Sequence, residues 1–136
     1  MSESPTPPFG SLDFLYVPSA DVAADASYFR DVLGGTPVFS IDGMGARVAA
    51  IRLAENAPTV LLTDHLDGDE TIFVYRVEDL RAALRTLESN GWEREGTFEI
   101  PHGPCCSFRT PGGQRISLYQ LTRPEAAASF DGRFDF

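Results

Sequence analysis

Two segments of the chain repeat one strand–helix pattern at a fixed spacing, and this repeat restricts the fold more than any other feature. Apolar runs at 12–17 and 71–77 predict strands, and a segment with helical periodicity follows each of them. The inward residues of the two predicted helices match 58 positions apart: Val22 with Leu80, Ala26 with Leu84, and Phe29 with Leu87. A constant offset across a strand, a turn and a helix indicates an internal duplication.

The ends of the first helix follow from its capping residues. The side chain of Ser19 or Asp21 can accept a hydrogen bond from an unpaired N–H group of the first turn, and Gly34 or Gly35 can end the helix. Leu33 then continues the inward face by one further turn. The second helix has the same features and ends at Gly91.

Each predicted helix precedes three runs with strand character, so the order βαβββ occurs twice. The runs are 36–42, 46–54, 58–65, 92–100, 105–109 and 114–121. We therefore predict an α+β fold in which two tandem βαβββ modules form a curved mixed sheet around a cavity. The expected organisation is a disordered lead-in at 1–10, one domain at 11–123 with modules 11–66 and 69–123, and a tail at 124–136.

Composition excludes several classes of partner. The net charge is −9, from 20 acidic and 11 basic residues, so a nucleic acid backbone would be repelled. No apolar run approaches the roughly 20 residues of a membrane span, and the N-terminus lacks the pattern of a signal peptide. We expect a cytoplasmic protein whose partner is a small organic molecule, with no nucleic acid and no membrane.

Three segments carry a family resemblance: "DASYFRDVLGG" in the first half, "YRVEDLRAALRTLESNGW" in the second, and "FRTPGGQRISLYQ" near the end. In order and spacing they resemble the vicinal oxygen chelate superfamily, which includes glyoxalase I, extradiol dioxygenases and bleomycin-resistance proteins. The resemblance covers residues 11–121. It implies the paired βαβββ fold predicted above and a cavity on the inner face of the sheet.

The resemblance also implies four metal-ligand positions, usually His or Glu, on the first and last strands of each half. They fall on Phe14, Leu61, Ile72 and Ser117. Three of these side chains have no donor atom, and a neutral serine hydroxyl alone is a poor ligand. We therefore predict no metal and no cofactor, and an apolar cavity where the metal would lie.

Strand alternation then assigns the lining of that cavity. The predicted ligand-binding residues are Phe14, Tyr16, Leu61, Thr63, Ile72, Val74, Ser117 and Tyr119. The alternate residues Leu15, Val17, Phe73 and Tyr75 are expected to pack on the helices. The competing interpretation is that the apolar inner residues fill a closed core between the halves.

Candidate catalytic groups are few. His102, Cys105 and Tyr119 are the candidates for metal-free acid–base or nucleophilic chemistry. Cys105 and Cys106 do not form a disulfide framework, and two small strand residues are the simplest interpretation, with a redox pair as the alternative. The acidic loop is expected to be a solvated linker, formed by Asp64, His65, Asp67, Asp69 and Glu70.

Two further groups of residues bear on partners. Arg47, Arg76 and Arg115 are either surface charges or cavity-rim residues, and the second case would favour an anionic or carbonyl-bearing ligand. The tail carries Phe130, Phe134 and Phe136, which are too apolar for a free end. We expect them to pack on this domain or on a second subunit, in a homodimer.

The predicted function is metal-free binding of a small organic molecule, with sequestration of an antibiotic or metabolite as the role. The alternative from another class is a lyase, isomerase or dioxygenase of the same superfamily, with rearranged metal ligands or metal-free catalysis. A third alternative is a structural or interaction module with a filled interior.

Overall fold

The computed structural model describes residues 7–43, 45–66, 69–93 and 97–136. Residues 1–6 of the expected lead-in and Asp67 of the acidic loop lie outside this part of the chain. The first module contains β1 Leu12–Pro18, α1 Val22–Asp31, β2 Thr36–Gly43, β3 Ala46–Arg52 and β4 Thr59–Thr63. The second contains β5 Ile72–Val77, α2 Leu80–Ser89, β6 Thr97–Ile100, β7 Gly103–Arg109 and β8 Arg115–Gln120, and α3 Pro124–Ala128 follows.

The strands form one eight-stranded mixed sheet in the order β2-β3-β4-β1-β5-β8-β7-β6. Each module contributes one half of this order, and the first strand of each pairs parallel with the last, β1 with β4 and β5 with β8. The halves meet where β1 and β5 pair antiparallel, with Phe14 opposite Val74 and Tyr16 opposite Ile72. The α+β fold with two βαβββ modules, predicted from the repeat, is therefore confirmed, and the sheet is open and curved.

Equivalent caps start the two helices. The Asp21 side chain accepts from the Ala24 N–H at 3.0 Å, and the Asp79 side chain accepts from the Ala82 N–H at 3.1 Å. A carboxylate in this position satisfies one of the unpaired donors of the first turn. Of the two possible caps for α1, the structure therefore uses Asp21.

The outer face of the sheet packs against the helices in two clusters. Val22, Ala26 and Phe29 of α1 lie against β3 and β4, and Leu80, Leu84 and Leu87 of α2 lie against β7 and β8. These are six of the seven predicted inward residues. The residues that recur at helical spacing in the sequence therefore form the buried face of each helix.

Two residues expected on this outer packing surface do not contribute to it. Leu33 is 50% exposed because α1 ends at Asp31, and the chain turns through Gly34 at φ +76° before another helical turn forms. Phe73 is 43% exposed. It lines a shallow depression with Thr71 and Arg115, and neither helix cluster includes it. The inward assignment was wrong for both.

The inner face carries a third apolar cluster along the junction of the halves. Its buried members are Ile72, Val74, Cys105 and Tyr119, with Phe14, Tyr16, Leu66, Ile100 and Leu121 packed around them. Part of the inner face is thus a packed core, as the competing interpretation proposed.

The C-terminal segment, residues 121–136, passes from one edge of the sheet to the other. At its start, the Thr122 and Arg123 N–H groups both donate to the His102 carbonyl at 3.0 Å, beside β6 and β7. At its end, residues 132–136 lie along β2 at the opposite edge, where Ser40 and Phe134 form a parallel bridge. Phe130 packs on Phe39 with ring centroids 5.7 Å apart.

The tail therefore packs on its own domain, one of the two arrangements expected, and the homodimer stays a prediction. At the other end of the domain, Phe9 packs on Tyr75 and the Gly10 N–H donates to the Arg76 carbonyl at 2.8 Å. No helix among the described residues is long and apolar enough to cross a membrane.

Gly103, the first residue of β7, packs closely against Gln120 and Thr122 and should tolerate no side chain. It has φ +152°, and an added Cβ would lie 2.0 Å from the Gln120 carbonyl oxygen. We expect Gly103→Ala to lower the free energy of unfolding by about 3 kcal/mol, from backbone strain and overpacking. Gly113→Ala, at φ +92° with no atom within 4 Å of the added Cβ, is the control and should lose about 1 kcal/mol. Urea unfolding measures both, and equal losses would contradict the packing argument.

Candidate functional site

A cavity of about 470 Å³ lies between the inner face of the sheet and the C-terminal segment. Its volume falls in the range of small-ligand sites. Strand residues form one side of it, and the C-terminal segment, the loop after β3 and His102 of the β6–β7 turn form the rest. The lining residues are Asp13, Phe14, Val38, Phe39, Ala50, Arg52, Glu55, Asn56, Ala57, Thr59, Arg76, His102, Tyr119, Leu121, Pro124, Ala128 and Asp131.

Three aromatic rings form one wall of the cavity. The ring centroids of Phe14 and His102 are 5.5 Å apart and those of His102 and Tyr119 are 5.8 Å apart, both with edge-to-face geometry. Phe14 and Tyr119 are 6.0 Å apart. Rings arranged in this way fix one another and present a rigid apolar surface to a ligand.

A buried carboxylate lies beside this wall because β1 contains a bulge. Leu12 is opposite Tyr75 and Phe14 is opposite Val74, so Asp13 is the extra residue between them. A bulge redirects a side chain that simple alternation would place on the other face. Asp13, at 8% exposure, therefore lines the cavity together with its neighbour Phe14.

Three donors satisfy the Asp13 carboxylate. The Ser11 and Tyr119 hydroxyls donate to it, and Arg76 Nε donates to Oδ2 at 2.7 Å. Burial alone raises the pKa of Asp13, but these hydrogen bonds and the Arg76 charge outweigh burial and lower that pKa below its usual value. Asp13 is therefore a stable anion that orients its partners.

Tyr119 is the largest fully buried side chain of the described residues, at 1% exposure. Burial raises the pKa of its hydroxyl, and the Asp13 carboxylate raises it further. The hydroxyl stays protonated at neutral pH and acts as a hydrogen-bond donor. Tyr119 is in this state a positioning and contact residue, and a phenolate base is excluded.

His102 is the titratable group of the cavity with an unused atom. Its Nδ1 is buried and has no hydrogen-bond partner among the described residues. Burial lowers the pKa of the imidazole, which Asp13 and Asp131 partly oppose and Arg76 reinforces. The ring is therefore neutral at pH 7, and it can accept or donate a hydrogen bond.

The predicted ligand-binding residues occupy three different surroundings. Phe14 and Tyr119 line the cavity. Tyr16 and Thr63 instead contact His65, with the Tyr16 hydroxyl 3.1 Å from Nε2 and Thr63 Oγ1 2.5 Å from Nδ1.

The other four predicted residues lie away from the open volume. Ile72 and Val74 belong to the packed inner cluster, and the hydroxyls of Ser117 and Ser107 bond to each other. Leu61 lies opposite Tyr16 in the sheet register, on the face opposite the α1 cluster. The cavity thus contains only a part of the predicted set.

A divalent metal does not fit the positions that the family resemblance implies. Phe14, Leu61, Ile72 and Ser117 do lie on the inner face of four adjacent strands, β4, β1, β5 and β8, as expected. Three are hydrocarbon side chains, and the Ser117 hydroxyl is already bonded to Ser107. Within the described ranges, no group of three His, Cys, Asp or Glu side chains could hold an ion.

The two cysteines face opposite sides of the sheet. Cys105 belongs to the inner cluster and Cys106 to the outer cluster of α2. Neither forms a disulfide, and burial with the neighbouring Cys106 raises the pKa of Cys105 to about 12. A thiol with so high a pKa is protonated at neutral pH, and because the thiolate is the nucleophile, this disfavours Cys105 as a catalytic residue.

Of the three arginines considered, only Arg76 reaches the cavity. Arg47 pairs with Asp42 at 3.2 Å and stacks over Phe136. Arg115 lines the shallow depression beside Phe73.

Asp13 was not predicted as a site residue. An acidic residue inside the apolar run "LDFLYV" was a signal for it, because a buried carboxylate needs hydrogen-bond or ionic partners.

The acid limb of the stability curve should report the Asp13 site. The lowered pKa means that the carboxylate stabilises the fold above the unfolded pKa of about 3.9, and that this contribution disappears as pH falls through the folded pKa. We expect Asp13→Asn to lower the free energy of unfolding by about 2 kcal/mol at pH 7, a value that already allows for solvent screening of the half-exposed Arg76. Below pH 4 the loss should be smaller. Urea unfolding at several pH values measures this, and a cost independent of pH would contradict it.

Comparison with solved structures identifies the fold. Methylmalonyl-CoA epimerase from Mycobacterium tuberculosis is similar, with a TM-score of 0.72 and 23% identity over 93% of this chain and 97% of that one. A Streptomyces coelicolor methylmalonyl-CoA epimerase in complex with 2-nitronate-propionyl-CoA has a TM-score of 0.62 and 12% identity, covering 84% and 99%. A catechol 2,3-dioxygenase has a TM-score of 0.61 and 18% identity, and the match covers 82% of this chain and 41% of that one.

Sequence comparisons add nothing to this. No family model matches the chain, and no curated protein does. At these identities the structural likeness concerns the fold. The chain has the fold of the vicinal oxygen chelate superfamily.

Proposed function

We propose that this protein binds a small organic molecule in the inner-face cavity without a metal ion. The ligand has a flat apolar part and an anionic or carbonyl group. The observation that carries the proposal is the combination of a rigid aromatic wall, Phe14, His102 and Tyr119, with the Arg76 guanidinium in one cavity of about 470 Å³.

The aromatic wall supports recognition of the flat part. Burial of apolar surface contributes about 25 cal/mol per Å², before the costs of ordering are subtracted. Because the three rings hold one another in place, a ligand has little ordering of side chains to impose. Micromolar affinity for a molecule of drug size is consistent with these magnitudes.

Arg76 supports recognition of the polar part. Its Nε is used by Asp13, which fixes the guanidinium, and the side chain remains 46% exposed. A guanidinium has five N–H donors, so others remain for a ligand carboxylate, sulfonate or carbonyl. Arg52 lines the same cavity, where the acidic residues Asp13, Glu55 and Asp131 also lie, so the polar contact depends on the directed hydrogen bonds of Arg76 and not on a net positive lining.

The role we propose is sequestration of an antibiotic or metabolite. Among the similar structures, one methylmalonyl-CoA epimerase is in complex with 2-nitronate-propionyl-CoA, which supports an organic ligand for this fold. The present cavity lacks the metal ligands of the family pattern, which favours binding over metal-dependent chemistry.

A dye and its uncharged analogue test both parts of the site. We expect 8-anilinonaphthalene-1-sulfonate to bind with one site per chain, and Arg76→Gln to weaken binding about tenfold by removing charge-assisted hydrogen bonds. N-phenyl-1-naphthylamine, which lacks the sulfonate, should bind both forms equally. Arg109→Gln is the matched control, since Arg109 is 49% exposed and paired with Glu70 outside the cavity. Fluorescence titration with and without EDTA measures the affinities.

The pattern of losses decides the outcome. Equal weakening of both dyes by Arg76→Gln would indicate a general structural effect and contradict the proposed polar contact. Loss of binding in EDTA, together with about one divalent metal per chain by elemental analysis, would contradict metal-free binding.

A second candidate function is acid–base catalysis without a metal, and the observation that favours it is His102. Its neutral imidazole lines the cavity, and its buried Nδ1 has no hydrogen-bond partner among the described residues, a feature expected of a group that exchanges a proton with a ligand. Incorporation of solvent deuterium into methylmalonyl-CoA, lost in His102→Gln and retained in the control Arg109→Gln, would support this function over binding alone.

A further inference from the structure

We propose that residues 132–136 form a cap on the edge of β2, and that this cap keeps β2 from pairing with the β2 strand of a second copy of the protein. The inference goes beyond the proposed function, because it concerns one edge of the sheet and not the cavity. It rests on which main-chain groups of β2 the cap uses and on what else could bind those groups.

The two edges of the sheet differ in length. β2 spans the eight residues Thr36–Gly43, whereas β6 at the other edge spans the four residues Thr97–Ile100. The run "VFSI" at 38–41 consists largely of residues that favour strands. A long edge strand presents a row of N–H and C=O groups that can pair with another chain, and a very short one presents few. β2 is therefore the edge that needs protection.

The cap occupies the free side of β2 with main-chain hydrogen bonds. The Ser40 N–H donates to the Arg133 carbonyl at 2.9 Å, and the Asp135 N–H donates to the Ser40 carbonyl at 2.7 Å. The Gly132 N–H donates to the Val38 carbonyl at 2.8 Å. These bonds use alternate residues of β2, whose main-chain groups point away from β3.

Side chains add to this attachment. The Asp135 carboxylate accepts from the Asp42 N–H at 2.9 Å, so a third alternate residue of β2 is satisfied. The Ser40 hydroxyl donates to the Phe136 backbone oxygen at 2.7 Å, and the Arg47 guanidinium lies 5.1 Å from the centroid of the Phe136 ring. The side chains of the cap and of β2 thus help to specify their contact.

The cap replaces a long edge with a short and charged one. Residues 131–136 are all exposed, and Arg133 Nη2 lies 2.9 Å from Asp135 Oδ2 in an ion pair on the cap itself. Short length and charged side chains are two features by which natural edge strands avoid pairing with other chains. The covered edge is therefore a poorer template for pairing than β2.

A second copy of β2 fits the same groups when the cap is detached. In an antiparallel pair with Ser40 opposite its own equivalent, each Ser40 N–H meets the other Ser40 carbonyl, and each Asp42 N–H meets the Val38 carbonyl of the other copy. These are the four main-chain groups that the cap uses. The pairing is self-complementary about a two-fold axis, and it places no like charges opposite each other. A second copy is therefore the partner that this edge fits.

Asp135→Pro tests the cap in the full chain. Proline has no N–H, and the variant also lacks the carboxylate that accepts from Asp42, so two hydrogen bonds of the cap are lost. At low protein concentration we expect the Ser40 and Asp42 amides to exchange with solvent about thirtyfold faster than in the unaltered protein, from the net contribution of two hydrogen bonds. At high concentration, exchange of both amides should slow again, and the mass measured by light scattering should rise toward twice that of the unaltered protein.

Asp135→Asn is the matched control, because it makes the same change of charge and keeps both the N–H donor and a side-chain oxygen. Its exchange rates and mass should equal those of the unaltered protein. Gly132→Pro removes the N–H that bonds to Val38 and a φ of +79° that proline cannot adopt, so it should act as Asp135→Pro does. If Asp135→Pro does not fold, Gly132→Pro decides by the same criteria.

The pairing of exchange with mass makes the outcome specific to β2. Fast exchange at every concentration with an unchanged mass would overturn the proposal, because the bare edge would then not pair. A larger mass without renewed protection of the Ser40 and Asp42 amides would also overturn it, since the contact would lie elsewhere. Concentration-dependent protection of these amides in the unaltered protein would contradict the role of the cap.

Discussion

The antiparallel pairing of β1 with β5 is the contact on which the rest of the structure depends. It joins two equivalent modules, each with a first strand beside its last, into one sheet of eight strands. Both helices then lie on the outer face, where they cover separate clusters. The inner face becomes a continuous surface, and the side chains that meet at the junction, Phe14, Tyr16, Ile72 and Val74, determine its chemistry.

That surface is divided between core and cavity. At the positions where the family pattern has metal ligands, the inner face is hydrocarbon apart from one hydroxyl pair, Ser107 with Ser117. Beside this core, the bulge at Asp13 brings a charged side chain into a low-dielectric region, where it must be paired. Arg76 and Tyr119 supply the pairing, and this polar corner within an aromatic wall gives the cavity both its apolar and its hydrogen-bonding character.

The parts of the fold that sequence reasoning predicted are those that depend on local patterns. The cap at Asp21, one of two alternatives, and six of the seven inward positions of the two helices follow from spacing within a few turns, and Leu33 is the exception. The bulge that exposes Asp13 to the cavity depends on pairing with β5, 60 positions away, which alternation within β1 does not reveal. For the same reason the lining from Pro124 and Asp131 was not predicted, since it requires the path of the C-terminal segment across the sheet.

A crystal structure of the protein with bound 8-anilinonaphthalene-1-sulfonate tests the central claim most directly. The account predicts electron density for the rings between Phe14, Tyr119 and the C-terminal segment, with the sulfonate within hydrogen-bond distance of Arg76 and no metal between Phe14, Ile72 and Ser117. Dye in the depression beside Phe73, with the inner-face cavity filled by protein side chains, would contradict it.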